Sequence, residues 1–476
     1  MKFTKLAIAV AIIGVLIASD AVAQRLRQPI RVRSTAFADD SLNDSYSDYY
    51  GQPQEASPSP SDEPAPLVAG VGNLGDCDAC DEANGEDEPW SLFCEGPCGL
   101  KIGGWIEAGA MPNASNVPSR FNGPLTFADR DEVQLNQLWT YMEKAIETGN
   151  YCWDVGGRVD FLFGTDTRFT QAAGLELRQD GSPRWSNERF YQLAMPQLYA
   201  EFGYNDLSVK VGHFFTIIGY EVVPAIGNFF YTHAYTMQYG EPFTHTGVLG
   251  SWKYSDRWTF FGGIHNGWDN FDDVNDRGSF LGGATLTSYD GSESLAFAIT
   301  AGDERAAFAS ANEGRVYDGT SFSPRTMYSL VYSNQLNDCF TYVLQHDYGN
   351  QDDGVAAGSA AQPTREDAEW YGINQYLFYT INDCWKAGMR IEWFRDDDGV
   401  RVTGLGNGNP IAGDSYEGDF YEISLGLNWT PTANLRVRPE IRWDWYDGRP
   451  SGGNLPYGDG TDDDMFVGGF DVIMLF

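Results

Sequence analysis

Residues 435–446 read LRVRPEIRWDWY and alternate strictly between apolar and polar side chains. Successive side chains of a β-strand point to opposite faces, so this period of two predicts a strand with one apolar and one charged face. The apolar face carries Leu435, Val437, Ile441, Trp443 and Trp445, and the charged face carries Arg436, Arg438, Glu440, Arg442 and Asp444.

The same alternation returns in residues 385–394, where Trp385 and Trp393 stand at the two ends of the apolar set. Strands of soluble sandwiches also alternate. Here, however, the opposite face is densely charged, and aromatic residues at both ends of an apolar band are typical of strands that cross a membrane between its two interfaces. The pattern therefore favours a membrane strand with a polar inner face.

Reading the whole chain in this way gives about sixteen strands. The connections alternate between short turns, such as residues 382–384, and long acidic segments, such as residues 303–324, 350–368, 395–418 and 447–464. Short periplasmic turns and long outer loops are the asymmetry of a bacterial barrel. We predict an all-β fold, a transmembrane antiparallel β-barrel of about 16 strands with both termini periplasmic and a disordered N-terminal segment.

The chain divides into three parts by composition. Residues 1–23 have a basic start, a short apolar core and a small-residue cleavage site, which predict a signal peptide. Residues 24–99 are rich in Pro, Ser and acidic residues, which predicts a disordered tether, and residues 100–476 form the barrel. The tether contains Cys77, Cys80, Cys94 and Cys98, whose spacing suits zinc, although an exported protein favours disulfides.

The charge and motif content exclude several functions. The net charge of −36 argues against a nucleic-acid partner, because binding phosphates needs clustered Lys and Arg. None of the five His forms a metalloprotease motif, and no nucleophile-elbow motif is present, so we predict no enzyme, no catalytic residue, no cofactor and no metal site. The acidic runs 396–398 and 462–464 are interpreted as solvated loop charge. Cys339 and Cys384 begin strands that are separated by one other strand, so they lie about 9–10 Å apart, which is too far for a bridge between them.

Several cations share a face with the polar side of predicted strands. If the apolar faces meet lipid, these side chains point into the lumen, because a cation on the lipid face would cost roughly 2–4 kcal/mol near the midplane. Glu392, Glu422, Glu440 and Asp160 also face inward, so some of the cations are simply paired. We predict a salt-bridge lattice that braces the wall, a charged constriction that filters solutes, or both together, formed by Arg158, Lys210, Arg390, Glu422, Arg436, Arg438 and Arg442.

The third long connection, residues 219–243, is too apolar for an ordinary solvated loop. In general porins the third loop folds into the lumen and sets the narrowest point. We predict that this loop does the same, with Glu221 and Glu241 facing the arginines; a surface lid or a subunit contact is the alternative. Its aromatic residues would pack on the inner wall, namely Tyr220, Phe229, Phe230, Tyr231 and Tyr235.

These residues also carry a family resemblance. Residues 212–221 (GHFFTIIGYE), 228–235 (NFFYTHAY) and 242–247 (PFTHTG) resemble the OmpL-like putative beta-barrel porin family. The resemblance implies an outer-membrane β-barrel of porin type and, at the level of the family, a homotrimer, but it implies no substrate. We predict a water-filled channel for passive diffusion of small hydrophilic solutes, which filters by size and by a transverse field between lumen arginines and loop carboxylates. A substrate-selective channel, for instance for carbohydrate, and a loop-plugged structural or surface-binding barrel remain alternatives. The terminal strand ends in Phe476 with apolar alternation, which predicts recognition by the outer-membrane assembly machinery.

Overall fold

The computed structural model describes residues 90–93, 99–149, 152–178, 182–185, 190–308, 316–359, 362–403 and 409–476. The predicted signal peptide and nearly all of the predicted tether lie outside these ranges. Within the tether, only residues 90–93 and 99 are described, and Trp90 docks on the barrel. Its backbone N–H donates to Asn434 Oδ1 at 2.9 Å, and Asn434 Nδ2 donates back to the Trp90 carbonyl at 2.9 Å.

The described residues form a closed antiparallel barrel of sixteen strands, in which each strand pairs with its neighbours in the chain and β1 also pairs with β16. This confirms the predicted fold. The strands are β1 (Leu100–Ala110), β2 (Gln134–Lys144), β3 (Trp153–Gly164), β4 (Gln192–Ala194 and Leu198–Tyr204), β5 (Leu207–Phe215), β6 (Thr244–Ser255), β7 (Trp258–His265), β8 (Ser279–Thr287), β9 (Glu293–Phe308), β10 (Val316–Gln335), β11 (Phe340–Ser359), β12 (Gln362–Asn382), β13 (Trp385–Asp396), β14 (Tyr416–Thr432), β15 (Leu435–Pro450) and β16 (Asp464–Leu475).

Strand β4 is interrupted once. Its two segments both pair with β3, and Pro196 lies in the gap between them. Proline has no N–H to donate to a β-ladder, so an interruption at this residue is the expected result.

Two predicted loops are wrong. Residues 303–324 and 350–368 were expected to be long acidic loops, but β9 and β10 pair as far as Phe308↔Val316, and β11 and β12 pair as far as Ser359↔Gln362. The backbone ladder continues because hairpin pairing needs no apolar face. Outside the membrane both faces of a hairpin meet water, so no alternation marks these strands in the sequence.

The two faces of the wall have the exposure predicted for a membrane barrel. On β15 the apolar Ile441 is 46% exposed, whereas Arg442 beside it is 0% exposed. Aromatic pairs stand near both ends of the outward face, with Trp385 stacked on Trp429 at 5.8 Å and Tyr421 on Trp445 at 5.2 Å. The apolar side chains therefore face outward and the charged ones inward.

Helical segments among the described residues are short. They are α1 (Thr167–Thr170), two 3₁₀ turns (Ala225–Gly227 and Gly458–Gly460) and one π turn (Thr236–Gly240). No helix in the described ranges has the length and apolar character needed to cross a membrane. Cys339 is a free thiol and Cys384 is disulfide-bonded, so the two are not joined to each other, as predicted.

Candidate functional site

The connection between β5 and β6, residues 219–243, lies inside the barrel and is called the lumen loop here. Its backbone contacts inward side chains on several strands. Trp370 Nε1 on β12 donates to the Gly240 carbonyl at 3.0 Å, and Arg438 on β15 donates to the Phe230 carbonyl at 2.9 Å. The loop therefore occupies the lumen, as its aromatic sequence suggested.

Two wall carboxylates each hold a Tyr-Thr pair of the lumen loop. Glu440 on β15 accepts the backbone N–H groups of Tyr231 and Thr232 at 2.8 and 2.9 Å. The Thr232 hydroxyl donates to the same carboxylate at 2.5 Å. These bonds satisfy loop N–H groups that have no ladder partner and that would be costly to leave unpaired in a buried site.

Glu392 on β13 repeats the arrangement four residues further along the loop. Its carboxylate accepts the backbone N–H groups of Tyr235 and Thr236 at 2.6 and 2.7 Å, and the Thr236 hydroxyl at 2.7 Å. A carboxylate with two backbone N–H donors and a hydroxyl donor makes short charge-assisted hydrogen bonds, which are about twice as strong as neutral ones. We call the two arrangements the carboxylate grips.

Arg390 and Arg442 hold the carbonyl side of the same loop segment. Arg390 Nη1 donates to the Thr232 carbonyl at 2.8 Å, and Arg442 Nη1 donates to the His233 carbonyl at 2.6 Å. Each guanidinium is also paired within the wall: Arg390 with Glu422 at 2.5 Å and Arg442 with Asp444 at 2.7 Å. These predicted residues are therefore brought together, and their charges are largely compensated locally.

Arg438 forms a second junction. It pairs with Asp471 at 2.6 Å and with Glu107 at 3.0 Å, which joins β15 to β16 and β1. Its Nη1 also donates to the Ala225, Asn228 and Phe230 carbonyls. Arg436, two residues earlier, donates to the Ile226 carbonyl at 2.9 Å, so both arginines hold the first part of the loop.

Glu221 reaches the arginine cluster, as predicted. Its carboxylate accepts Arg390 Nη1 at 2.7 Å and the Ala234 backbone N–H at 3.0 Å, and lies 2.9 Å from His233 Nδ1. Burial opposes its ionisation, yet Arg390 and His233 together hold the pKa of Glu221 well below its usual range. The carboxylate stays charged because its neighbours stabilise the negative form.

Glu241 does not face the arginines, so that part of the prediction is wrong. Its carboxylate accepts Gln345 Nε2 on β11 at 2.5 Å. Burial raises the pKa of Glu241 well above its usual value, and the neighbouring Asp347 carboxylate raises it further. The two ends of the loop thus carry glutamates in opposite environments, one facing cations and one facing another acid.

Arg158 and Lys210 lie apart from the loop contacts, on the opposite side of the barrel from β13. Arg158 pairs with Asp160 at 2.7 Å and with Glu143 at 3.1 Å. The Lys210 ammonium stands 4.8 Å from the centroid of the Tyr199 ring. The predicted set of cations is therefore three separate groups rather than one cluster.

The predicted loop aromatics are used in packing. Phe230, Tyr231 and Tyr235 are buried, and Tyr220 and Phe229 are half-buried. Phe229 packs on Phe378 with ring centroids 4.9 Å apart, and Tyr220 on Tyr376 at 4.8 Å. These aromatic residues therefore pack on the inner wall, as expected.

The connection between β1 and β2, residues 111–133, covers the lumen loop from the extracellular side. The Thr126 backbone N–H donates to Gln238 Oε1 at 2.7 Å, and the Tyr239 hydroxyl donates to the Pro124 carbonyl. The Phe127 ring lies 4.1 Å from the His233 ring. The loop is thus held from the wall and from above.

The wall of β6 to β9 differs from the wall that binds the loop. Near the periplasmic end its inward positions are mostly small or hydroxylated and half-buried, and in register they form adjoining rows with Thr259↔Thr285 and Ser251↔Phe261 as cross-strand pairs, whereas Leu249 and Leu281 further along the strands are buried. The half-buried members of these rows are Ser251, Thr259, Phe261, Gly283, Thr285 and Ala296.

Sequence analysis placed Glu392 and Glu440 on the inward face but expected pairing with arginines, not a hold on loop N–H groups. Thr232, Thr236 and His233 were not identified. The repeat Tyr-Thr-His-Ala-Tyr-Thr at residues 231–236 was a usable signal, because two identical pairs four residues apart imply two equivalent partners. Among the described residues, no cluster of three His, Cys, Asp or Glu side chains is arranged to hold a metal ion.

A family model described as Putative beta-barrel porin-2, OmpL-like, matches residues 99–476. No curated protein sequence matches the chain. The fold is similar to the anion-selective porin from Comamonas acidovorans, with 7% identity over 79% of this chain and 99% of that one and a TM-score of 0.51.

Two further similar structures are the outer membrane channel DcaP of Acinetobacter baumannii and the trimer form of OmpT of Vibrio cholerae. The former has 12% identity, covers 79% of this chain and 97% of that chain, and gives a TM-score of 0.49. The latter has 10% identity, covers 79% and 99%, and gives a TM-score of 0.49.

The closed sixteen-strand wall with an apolar outside and a polar inside defines an outer-membrane β-barrel of the porin class. The family match covers most of the chain, and the chain belongs to the putative beta-barrel porin-2, OmpL-like, family. It is therefore an outer-membrane porin.

Proposed function

We propose that small hydrophilic solutes cross this porin by passive diffusion through a gap between the lumen loop and the wall of β6 to β9. The loop is fastened to the wall of β12 to β16 by the carboxylate grips and the arginines. On the other side, the inward row through Thr259 and Thr285 stays half-buried. That difference in burial between the two walls is the observation that carries the proposal.

Size, rather than a strong transverse field, would then set the selectivity. Arg390 is paired with Glu221 and Glu422, and Arg442 with Asp444, so the guanidinium charges are matched within the packed wall. A pore lined by uncharged side chains, such as those of Thr259, Phe261 and Thr285, discriminates mainly by its width. The loop sets that width because it fills the rest of the lumen.

The test narrows the gap without touching the loop. Thr285→Trp places an indole on the inward face of β8 and should lower single-channel conductance in planar bilayers by about twofold or more. Ala284→Trp is the matched control, because Ala284 is the next residue and faces outward. Equal conductance of the Thr285→Trp variant and the wild type would place the passage elsewhere.

We further propose a homotrimer with contacts on the outward face of β6 to β8. Gly250, Gly262 and Gly282 stand side by side there in register, and a flat face of this kind suits close approach of a second protomer. Native mass spectrometry of the detergent-solubilised protein should give three chains, and a single chain would refute the assembly.

We also propose that the outer-membrane assembly machinery recognises β16. Phe466, Phe470 and Met474 are 46%, 52% and 41% exposed on its outward face, which is the apolar alternation predicted from the sequence. Replacing Phe476 with Ala should reduce the amount of folded barrel recovered from membranes.

A further inference from the structure

The C-terminal end of the lumen loop meets the barrel wall through a pair of buried carboxylates. Glu241 of the loop is 3% exposed, and Asp347 on β11 is 0% exposed. Gln345 Nε2 donates to Glu241 Oε1 at 2.5 Å and to Asp347 Oδ1 at 3.0 Å. Because a single amide nitrogen contacts both carboxylates, the two acidic groups are adjacent in the interior of the barrel.

This pair lacks the counterion that other buried acids of the lumen have. Glu107 and Asp471, for comparison, both pair with Arg438. Within the described ranges, no ion pair joins Glu241 or Asp347 to a Lys, Arg or His side chain. Two adjacent carboxylates are costly to ionise in a buried site, so a bound proton or a bound cation has to offset their charge.

Two buried oxygens beside the pair are left without partners. Asp347 Oδ2 and the Ser329 hydroxyl form no hydrogen bond of normal geometry with any group in the described part of the chain. Ser329 is directly across from Asp347 in the β10–β11 pairing and is 1% exposed, so its hydroxyl lies on the same inward face. Buried polar atoms normally have partners, and a proton shared between the carboxylates would leave the serine hydroxyl unsatisfied. The arrangement therefore points to a ligand that takes several oxygens at once.

The donor set selects the kind of ligand. Carboxylate and hydroxyl oxygens suit hard cations, and two carboxylates are balanced by a divalent ion. Mg²⁺ gives up its water reluctantly and demands octahedral geometry, whereas Ca²⁺ accepts irregular sets of oxygens, so a buried pair favours Ca²⁺. Glu241 also lines a cavity with room for about one water molecule, which allows a water to complete the ligand set.

We propose that Glu241, Asp347 and Ser329 form a Ca²⁺ site that fastens the C-terminal end of the lumen loop to β10 and β11. Without the ion the pair holds a proton instead, in keeping with the raised pKa of Glu241, so the cation and the proton exclude each other. The proposal departs from the sequence-based prediction of no metal site, because the three ligands come from separate elements and form no motif. The site itself does not rest on the proposed route of permeation.

Direct binding tests the site on the folded full-length protein in detergent. In equilibrium dialysis against radioactive Ca²⁺ in buffered KCl, the wild type should bind one more ion per chain than E241Q/D347N, in which amides of the same size replace both carboxylates. The matched control, D352N/D353N, removes two exposed carboxylates from the same strand and should retain that ion. Equal binding by the wild type and E241Q/D347N would overturn the proposal and leave a proton as the occupant.

Thermal stability gives a second measurement. A ligand that binds only the folded state raises its stability, so replacing EDTA with millimolar Ca²⁺ should raise the unfolding midpoint of the wild type by about 2 °C or more, read from heat-modifiable gel mobility. S329A keeps both carboxylates and should show a smaller rise, and Mg²⁺ at the same concentration should have a smaller effect than Ca²⁺. An equal rise in E241Q/D347N would place the ion on the acidic outer loops and overturn the site, and an equal effect of Mg²⁺ would overturn its assignment to Ca²⁺. Neither measurement uses conductance, so a folded barrel that never conducts would count against the proposed function alone.

Discussion

Two parts of the barrel wall, β12 to β16 and β6 to β9, differ in the charge and burial of their inward side chains. On β12 to β16 the inward side chains are charged and sealed, with Arg390 and Arg442 both 0% exposed. On β6 to β9 those near the periplasmic end are uncharged and half-buried, as at Thr259 and Thr285, and those further along, such as Leu249 and Leu281, are buried and apolar. Breaking a buried ion pair costs roughly 3–5 kcal/mol, so a sealed charged half is stable only where every group has a partner.

The lumen loop supplies those partners, and this explains why it lies on one side. An irregular loop has backbone N–H and C=O groups that need hydrogen bonds when buried. The charged half offers carboxylates for the N–H groups, as Glu440 and Glu392 do, and guanidinium groups for the carbonyls, as Arg442 does. Gly283 and Ala296 on the other half have no side-chain donor or acceptor to give. The positions of the charged wall residues therefore determine which side of the lumen the loop occupies and which side it leaves open.

The largest expected effect comes from breaking the charged half. Arg390→Ala should lower the free energy of unfolding by about 3–5 kcal/mol, because Glu221 and Glu422 would lose a shared counterion in a buried site. Urea titration followed by heat-modifiable gel mobility measures this. Arg395→Ala is the control on the same strand: its side chain is 28% exposed and pairs with Asp397 and Asp419, so its loss should cost under about 1 kcal/mol. Similar losses for both variants would contradict the distinction.

A bulky residue on the packed half should have the opposite sign of effect on conductance from one on the open half. A Cβ added at Gly388 would overlap the Phe229 ring. Gly388→Leu should therefore displace the loop, cost about 1–3 kcal/mol and raise conductance, whereas Thr285→Trp lowers it. Ala387→Leu, on the outward face of the same strand, should change neither. Lower conductance in Gly388→Leu would show that the loop does not limit the passage.

The smallest expected effect is a pH dependence of stability caused by Glu241, near the C-terminal end of the lumen loop. Because the pKa of Glu241 is raised, its contribution to stability is full in acid and is lost as pH rises through that pKa. Stability should fall by about 1.4 kcal/mol per pH unit from the ordinary pKa of glutamate up to the raised pKa of Glu241, because in that range the unfolded chain has lost the proton that the folded protein still holds. Glu241→Gln should remove this pH dependence in unfolding curves. If unfolding free energy falls with pH to the same extent in the Glu241→Gln variant, a different titrating group causes the dependence.

The barrel was predictable because lipid imposes a rule on every strand. Residues 435–446 revealed their two faces by alternation alone, and the observed burial of Arg438, Glu440 and Arg442 follows that pattern. The extensions of β10 and β11 were missed because strands above the membrane have no lipid face to leave a period in the sequence.

Parts of the site were predictable from the sequence, and parts were not. Loop composition and loop order identified residues 219–243 and placed Glu221 near the arginines. The grips on Thr232 and Thr236 could not be predicted, because Glu440 and Glu392 follow them by more than 150 residues and bind backbone groups that every residue possesses. Glu241 was misplaced because a loop's charge does not specify which strand it faces.

The carboxylate grips have a consequence for how this protein can change over evolutionary time. Glu440 and Glu392 are on strands separated by β14, and Glu392 is level with Asp444, so the sheet fixes their positions two strand spacings (about 9–10 Å) apart across the sheet and four residues (about 13 Å) apart along it. Tyr231-Thr232 and Tyr235-Thr236 must keep their four-residue spacing to meet both. Insertion or deletion of one residue between Thr232 and Tyr235 would change this spacing, so one of the two carboxylates would lose its hydrogen bonds to the loop. Length variation among descendants should therefore spare residues 231–236.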